Sequence, residues 1–157
     1  MVKAKKIEGL NCEGNAAVEI QRVLRERLEE MCEFRAQALE WSDPEGVHDM
    51  RVASRRLRST LRDFKPYLRA RKLAAVAADL KQVADALGAV RDEDVAIMAL
   101  EELQREAPEE VAAGVAEIVD ERRARQATAR AALARAITKE RLLDLQAEFL
   151  DDAGRAI

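Results

Sequence analysis

The sequence predicts an all-α protein, an antiparallel bundle of about six helices, on three observations. Alanine, leucine, arginine and glutamate dominate, while glycine, proline and aromatic residues are scarce, a balance that favours long helices over a sheet. Apolar residues recur every three or four positions along most of the chain, the period of a buried helix face. Breakers are few and separated by helix-length runs. At 157 residues the chain reads as one domain with room for a real core.

Residues 1–14, with Lys3, Lys5, Lys6, Gly9 and Gly14, read as a loose lead-in, and residues 15–157 as a single helical domain. Asn15 caps a first helix from Ala16 to Trp41, whose apolar side is Ile20, Val23 or Leu24, Leu28, Met31, Phe34, Ala38 and Trp41. Ser42-Asp43-Pro44-Glu45 then reads as a capping box, with the Ser42 oxygen and the Glu45 carboxylate closing the first turn of a second helix. So short a connection makes the first two helices antiparallel neighbours. Pro66 ends the second helix. A third carries the seam Leu73, Val76, Leu80, Val83 and Leu87 and stops at Gly88. Asp92 caps a fourth through Val95, Met98 and Leu103, which Ala107-Pro108 breaks. The fifth runs from Glu109 to about Ile137 with Val111, Val115, Ile118 and Val119 on its apolar side; Arg122 falls on that stripe and so needs a partner or a wet cavity. Thr138 caps a last helix bearing Leu142, Leu143, Leu145, Phe149 and Leu150.

The second helix is the one with two unlike faces. Met50, Ala53, Leu57, Leu61, Phe64 and Leu68 form an apolar stripe, while His48, Arg51, Arg55, Arg58 and Arg62 run in a column opposite, with Val52 and Ser59 between them and Arg56 on its shoulder. A merely solvated face interleaves acids at three- and four-residue spacing, and here only Asp49 and Asp63 offer that. The formal charge of -3 hides this asymmetry, for residues 48–72 hold nine basic side chains (Lys65, Arg69, Arg71 and Lys72 complete the set) and residues 92–121 are acidic. At a rise of about 1.5 Å per residue the column is roughly 20 Å long, which suits a line of anionic groups better than one small anion.

Other chemistries find less support. His48 is the single histidine; a metal site with Asp92 and Asp94 can be imagined, but capping already explains Asp92. No glycine-rich phosphate loop and no serine-based catalytic constellation is visible, so no catalysis and no cofactor is expected; a metal-dependent phosphohydrolase is the enzymatic alternative. A nucleic-acid module is the other, weakened by an acidic net charge and by a lone Trp41 and Tyr67 placed away from the column. Cys12 and Cys32 make no disulfide framework, no apolar core follows the basic start, and no run is long enough to span a membrane, so a cytoplasmic protein is expected.

His48-Asp-Met-Arg51-Val52-Ala-Ser-Arg55-Arg56-Leu57-Arg58 resembles the signature helix of the CHAD domain, the conserved histidine α-helical domain family. The resemblance continues in Phe64-Lys65-Pro66-Tyr67, in Leu87-Gly88-Ala89-Val90-Arg91-Asp92-Glu93-Asp94-Val95 and in Ile137-Thr138-Lys139-Glu140-Arg141-Leu142-Leu143. It implies a helical protein that binds inorganic polyphosphate without catalysis, at polyphosphate granules or as an adaptor. It implies phosphate contacts from His48, Arg51, Arg55, Arg58 and Arg62, with Arg56 beside them and Arg122 and Arg125 as additions. The usual CHAD domain is about twice this long and joins two such halves, of which this chain supplies the first; a homodimer that rebuilds the second side is the favoured expectation, with a fragment or a one-sided binder as the alternatives.

Overall fold

The computed structural model describes residues 2–156, the side chains of 70, 72 and 152–156 excepted; Lys72, counted above with the basic stretch, therefore lies outside the described side chains. The helices are α1 (Ala16–Glu33), α2 (Arg35–Ala38), α3 (Glu45–Phe64), α4 (Ala70–Glu106), α5 (Glu109–Ala136) and α6 (Lys139–Ala156), with a 3-10 turn at Lys65–Tyr67 between α3 and α4. No strand occurs among the described residues. α3 packs on α1, α2 and α4, while α4 also carries α5 and α6. The main core joins Leu24, Leu28 and Met31 of α1, Met50 and Leu57 of α3, Leu80 and Leu87 of α4, Leu133 at the end of α5 and Phe149 of α6. A smaller cluster of Ile97, Val115 and Val119 closes the far end of the α4–α5 hairpin.

Several sequence signals act as expected. The Asn15 side chain accepts from the Ala17 amide at 2.9 Å, and the Thr138 hydroxyl accepts from the Arg141 amide at 3.2 Å. Ala107-Pro108 separates α4 from α5, and α3 ends just before Pro66. Arg122 has the partner its position demanded: its Nη1 donates to Glu93 at 3.2 Å.

Four expectations need correction. The first helix stops at Glu33 and resumes as the single turn α2. The reason lies at Gly46, where a Cβ would sit 1.9 Å from the carbonyl oxygen of Gln37, so the turn at 35–38 is folded down onto the start of α3. Ser42 does not cap α3: its hydroxyl donates to Glu40 at 2.7 Å, and the Asp43 carboxylate takes the Glu45 amide at 3.0 Å instead. Gly88 does not stop a helix and Asp92 does not start one, because α4 runs unbroken through both. Its buried seam continues from Leu87 through Val90 to Asp94 and Ile97 at spacings of three and four, and that packing outweighs the weak local preference of one glycine.

The segment before α1 is irregular yet held. The Lys5 amide donates to Glu30 at 3.0 Å, Arg27 donates to the Lys5 carbonyl at 3.0 Å, Arg22 to the Gly9 carbonyl at 3.0 Å, and Arg56 to the Val2 carbonyl. Glu30, 2% exposed, is the hub, since Arg27 at 2.7 Å and Arg56 at 3.3 Å also donate to it. Exposed Lys5 has its pKa raised, first by its hydrogen bond to Glu33.

Candidate functional site

α3 presents the column as the wheel requires. Arg51, Arg55, Arg58 and Arg62 are all exposed, while Met50, Ala53 and Leu57 on the far side are fully buried. None of the four arginines forms an ion pair among the described residues; Arg62 donates to the Ser59 hydroxyl at 3.3 Å. Elsewhere some arginines pair with acids, as Arg27, Arg105, Arg122 and Arg123 do, and others such as Arg25 and Arg125 do not, so what sets the column apart is four unpaired arginines in line on one face. The column is therefore positive charge that the fold has left unneutralised.

Two grooves run beside it, both walled by the antiparallel α4. The first, about 420 Å³, is lined by Arg51, Ser54, Arg55 and Arg58 from α3 and by Gly88 and Asp92 from α4. Asp85, also at its edge, is held by Lys81 at 2.6 Å. The second, about 460 Å³, has an apolar floor of Leu61, Leu73 and Leu80 under a rim of Arg58, Arg62 and Lys65. Arg58 belongs to both, so the column overlooks a continuous track.

The unbroken α4 extends this track as far as Arg51. Gly88 stands opposite Arg51, and a Cβ added there would approach the Arg51 Nε at 3.9 Å. Val52, expected between the arginines, is buried, as is Ser54.

His48 sits half-buried at the head of the column, and its Nδ1 is buried without a hydrogen-bond partner. It does not meet Asp92 and Asp94 in a metal site: Asp94 is buried, accepts from Gln126 at 2.7 Å and lies 3.7 Å from Arg130, which stacks over Trp41. The groups that do gather near His48 are Glu45 and Asp49, within 4.8 Å. Glu45 belongs to the first turn of α3, where the helix dipole favours a carboxylate, and Asp49 follows one turn on.

The remaining expected residues stand apart. Arg56 turns to the other flank, toward Glu30 and the segment before α1. Arg122 and exposed Arg125 are on α5, which contributes nothing to the lining of either groove. What the wheel did not supply was the wall: the grooves depend on α4, and only the Leu73-to-Leu87 seam hinted that it packs lengthwise.

Cys32 is half-buried, and burial first, then the nearby Glu29 and Glu33 carboxylates, push its thiol pKa up to about 12. Such a thiol stays protonated at neutral pH and is a poor nucleophile. No helix among the described residues is long and apolar enough to cross a membrane.

A family model described as the CHAD domain matches residues 22–154. Among solved structures, the chain is similar to one described as the crystal structure of the CHAD domain from the plant Ricinus communis, at 26% identity and a TM-score of 0.65. The match covers 99% of this chain and 52% of that one, so this chain spans about half the length of that structure. The curated proteins contain no match.

Proposed function

The chain belongs to the CHAD domain family, and from that premise we propose that it binds inorganic polyphosphate without turning it over. The observation that carries this reading is the line of four exposed arginines on α3 with no acidic partner among the described residues. Guanidinium forks suit phosphate oxygens in pairs, keep their charge at any biological pH, and recur here about once per helical turn. A polymer of repeating anionic units is the ligand whose spacing uses such a row throughout. Binding then comes from charge-assisted hydrogen bonds and counterion release.

The role is non-catalytic on this reading, because the side chains along the track supply fixed positive charge. Ser54 and Ser59 have no base in hydrogen-bond reach among the described residues. A homodimer supplies the second half: a chain about half as long as the Ricinus communis CHAD domain gains a two-sided cavity when one column faces its own copy. Like charges oppose that assembly until an anion fills the gap, so polyphosphate strengthens the dimer. The site of action is the cytoplasm, at polyphosphate granules, with the chain as binder or adaptor.

Light scattering across a titration with long-chain polyphosphate, with matched single-stranded RNA alongside, tests the reading. A compact two-chain complex with polyphosphate and weaker RNA binding at equal phosphate and salt is expected. A monomer indifferent to polyphosphate, or one that prefers RNA, refutes it.

A further inference from the structure

A serine or threonine inside a helix commonly returns its hydroxyl to the carbonyl four residues back. Thr60 does so with Arg56 at 2.9 Å, and Thr128 with Ala124 at 3.3 Å. Ser54 does not. It is 1% exposed, and its Oγ is buried with no hydrogen-bond partner among the described residues. An unmade hydrogen bond at a buried hydroxyl is unfavourable, and such a group in a native fold calls for an explanation.

Its surroundings supply one. Ser54 lies on the α3 wall of the groove of about 420 Å³ that holds Arg51, Arg55 and Arg58. Across from it Gly88 offers no side chain to fill the space. Of the two acids at the groove, Asp85 is held by Lys81, and Asp92 is left on the α4 wall. Charge in the groove is thus polarised, positive on the α3 side, where the unpartnered hydroxyl also lies.

We propose that Ser54 is a ligand-contacting residue, its hydroxyl donating to one phosphoryl oxygen seated between Arg51, Arg55 and Arg58. The column alone attracts a polyanion in any register. A neutral, directional donor at the groove floor fixes one phosphoryl group at one place, so the track contains a discrete subsite. This inference rests on the polyphosphate reading and adds a residue to its site.

Ser54→Ala removes one oxygen from a buried position, and Ser54→Thr keeps the hydroxyl. The full chain and both variants are titrated with polyphosphate of defined length and with pyrophosphate at several salt concentrations, alongside thermal unfolding without ligand. Ser54→Ala is expected to unfold at the same or a higher temperature yet bind both phosphates about tenfold to a hundredfold more weakly, the worth of one hydrogen bond to a charged acceptor. The dependence on salt stays as in the parent, because no charge was removed, and Ser54→Thr recovers most of the affinity. If the parent binds polyphosphate and Ser54→Ala binds it equally well, the subsite is wrong and the column stands. Weakened binding with a shallower salt dependence also overturns it, since that marks displaced arginines. A parent that binds neither phosphate overturns both readings.

Discussion

Replacing Arg55 and Arg58 together by alanine tests the column most directly, because the expected result is a slope as well as an affinity. Both side chains are exposed and neither forms an ion pair among the described residues, so their loss leaves the fold within about 0.5 kcal/mol. Each phosphate neutralised on a single-stranded polyanion contributes about −0.7 to the slope of log K against log salt, so four arginines give about −3. Raising salt from about 50 to 200 mM then weakens parent binding roughly 50-fold, and that of the double variant, with a slope of about −1.4, only about sevenfold. Arg56→Ala is the control. It removes a neighbouring arginine that is already committed to Glu30 and the Val2 carbonyl, so it lowers stability and leaves the slope near the parent value. Fluorescence anisotropy of end-labelled polyphosphate over a salt series reads both quantities. An unchanged slope in the folded double variant, or a slope lost equally in Arg56→Ala, refutes the assignment.

Glu30→Ala leaves Arg27 and Arg56 half-buried without their acid and releases the Lys5 amide, and a cost of about 3 kcal/mol is expected, seen as a fall of roughly 6–12 °C in the thermal midpoint. A fall under about 3 °C would mean the hub is dispensable. The two helical glycines of the site should behave oppositely: Gly46→Ala drives a methyl into the Gln37 backbone and costs about 4 kcal/mol or more, whereas Gly88→Ala, with nothing nearer than 3.9 Å, leaves stability unchanged or raises it by up to about 1 kcal/mol. Chemical denaturation of both variants checks the pair. The Cys32 thiol has a folded-state pKa above its ordinary value of 9.0, so the unfolded chain loses that proton first as pH rises. Its contribution to stability is complete below about pH 9 and fades toward pH 12, and below pH 9 Cys12 alkylates much faster than Cys32, as mass spectrometry after a short iodoacetamide pulse would show. Equal labelling rates would count against the burial of Cys32.

What could be read from the sequence follows from the range of the interactions involved. The arginine column and the Met50–Ala53–Leu57 stripe were legible because one helix fixes both by its own period, whatever packs around it. Caps at Asn15 and Thr138 were legible for the same reason, each bond spanning two or three residues. Ser42 and Asp43 stand one residue apart and either can cap, so only the turn set by Gly46 against Gln37 decided between them. Glu30 lies off the apolar side of α1; its burial comes from a segment 25 residues away and from Arg56, neither of which leaves a periodic trace.

Gly88 and Asp92 carry the misreading that matters for function. As letters they are a helix stop followed by a cap, and read so they place a loop beside the arginines. In the structure the α4 seam carries the helix straight through them, and the same two residues become the far wall of the groove, the glycine opposite Arg51 and the aspartate across from Ser54 and its arginines. The unexpected length of α4 therefore completes the groove at its Arg51 end. Had the helix ended at Gly88, the wall beside Arg58 and Arg62 would remain, built by residues from Leu73 to Asp85, and only the Arg51 end would lie open; because it continues, the wall reaches Arg51, and on the polyphosphate reading a phosphate chain along α3 would lie between two helices over the whole column.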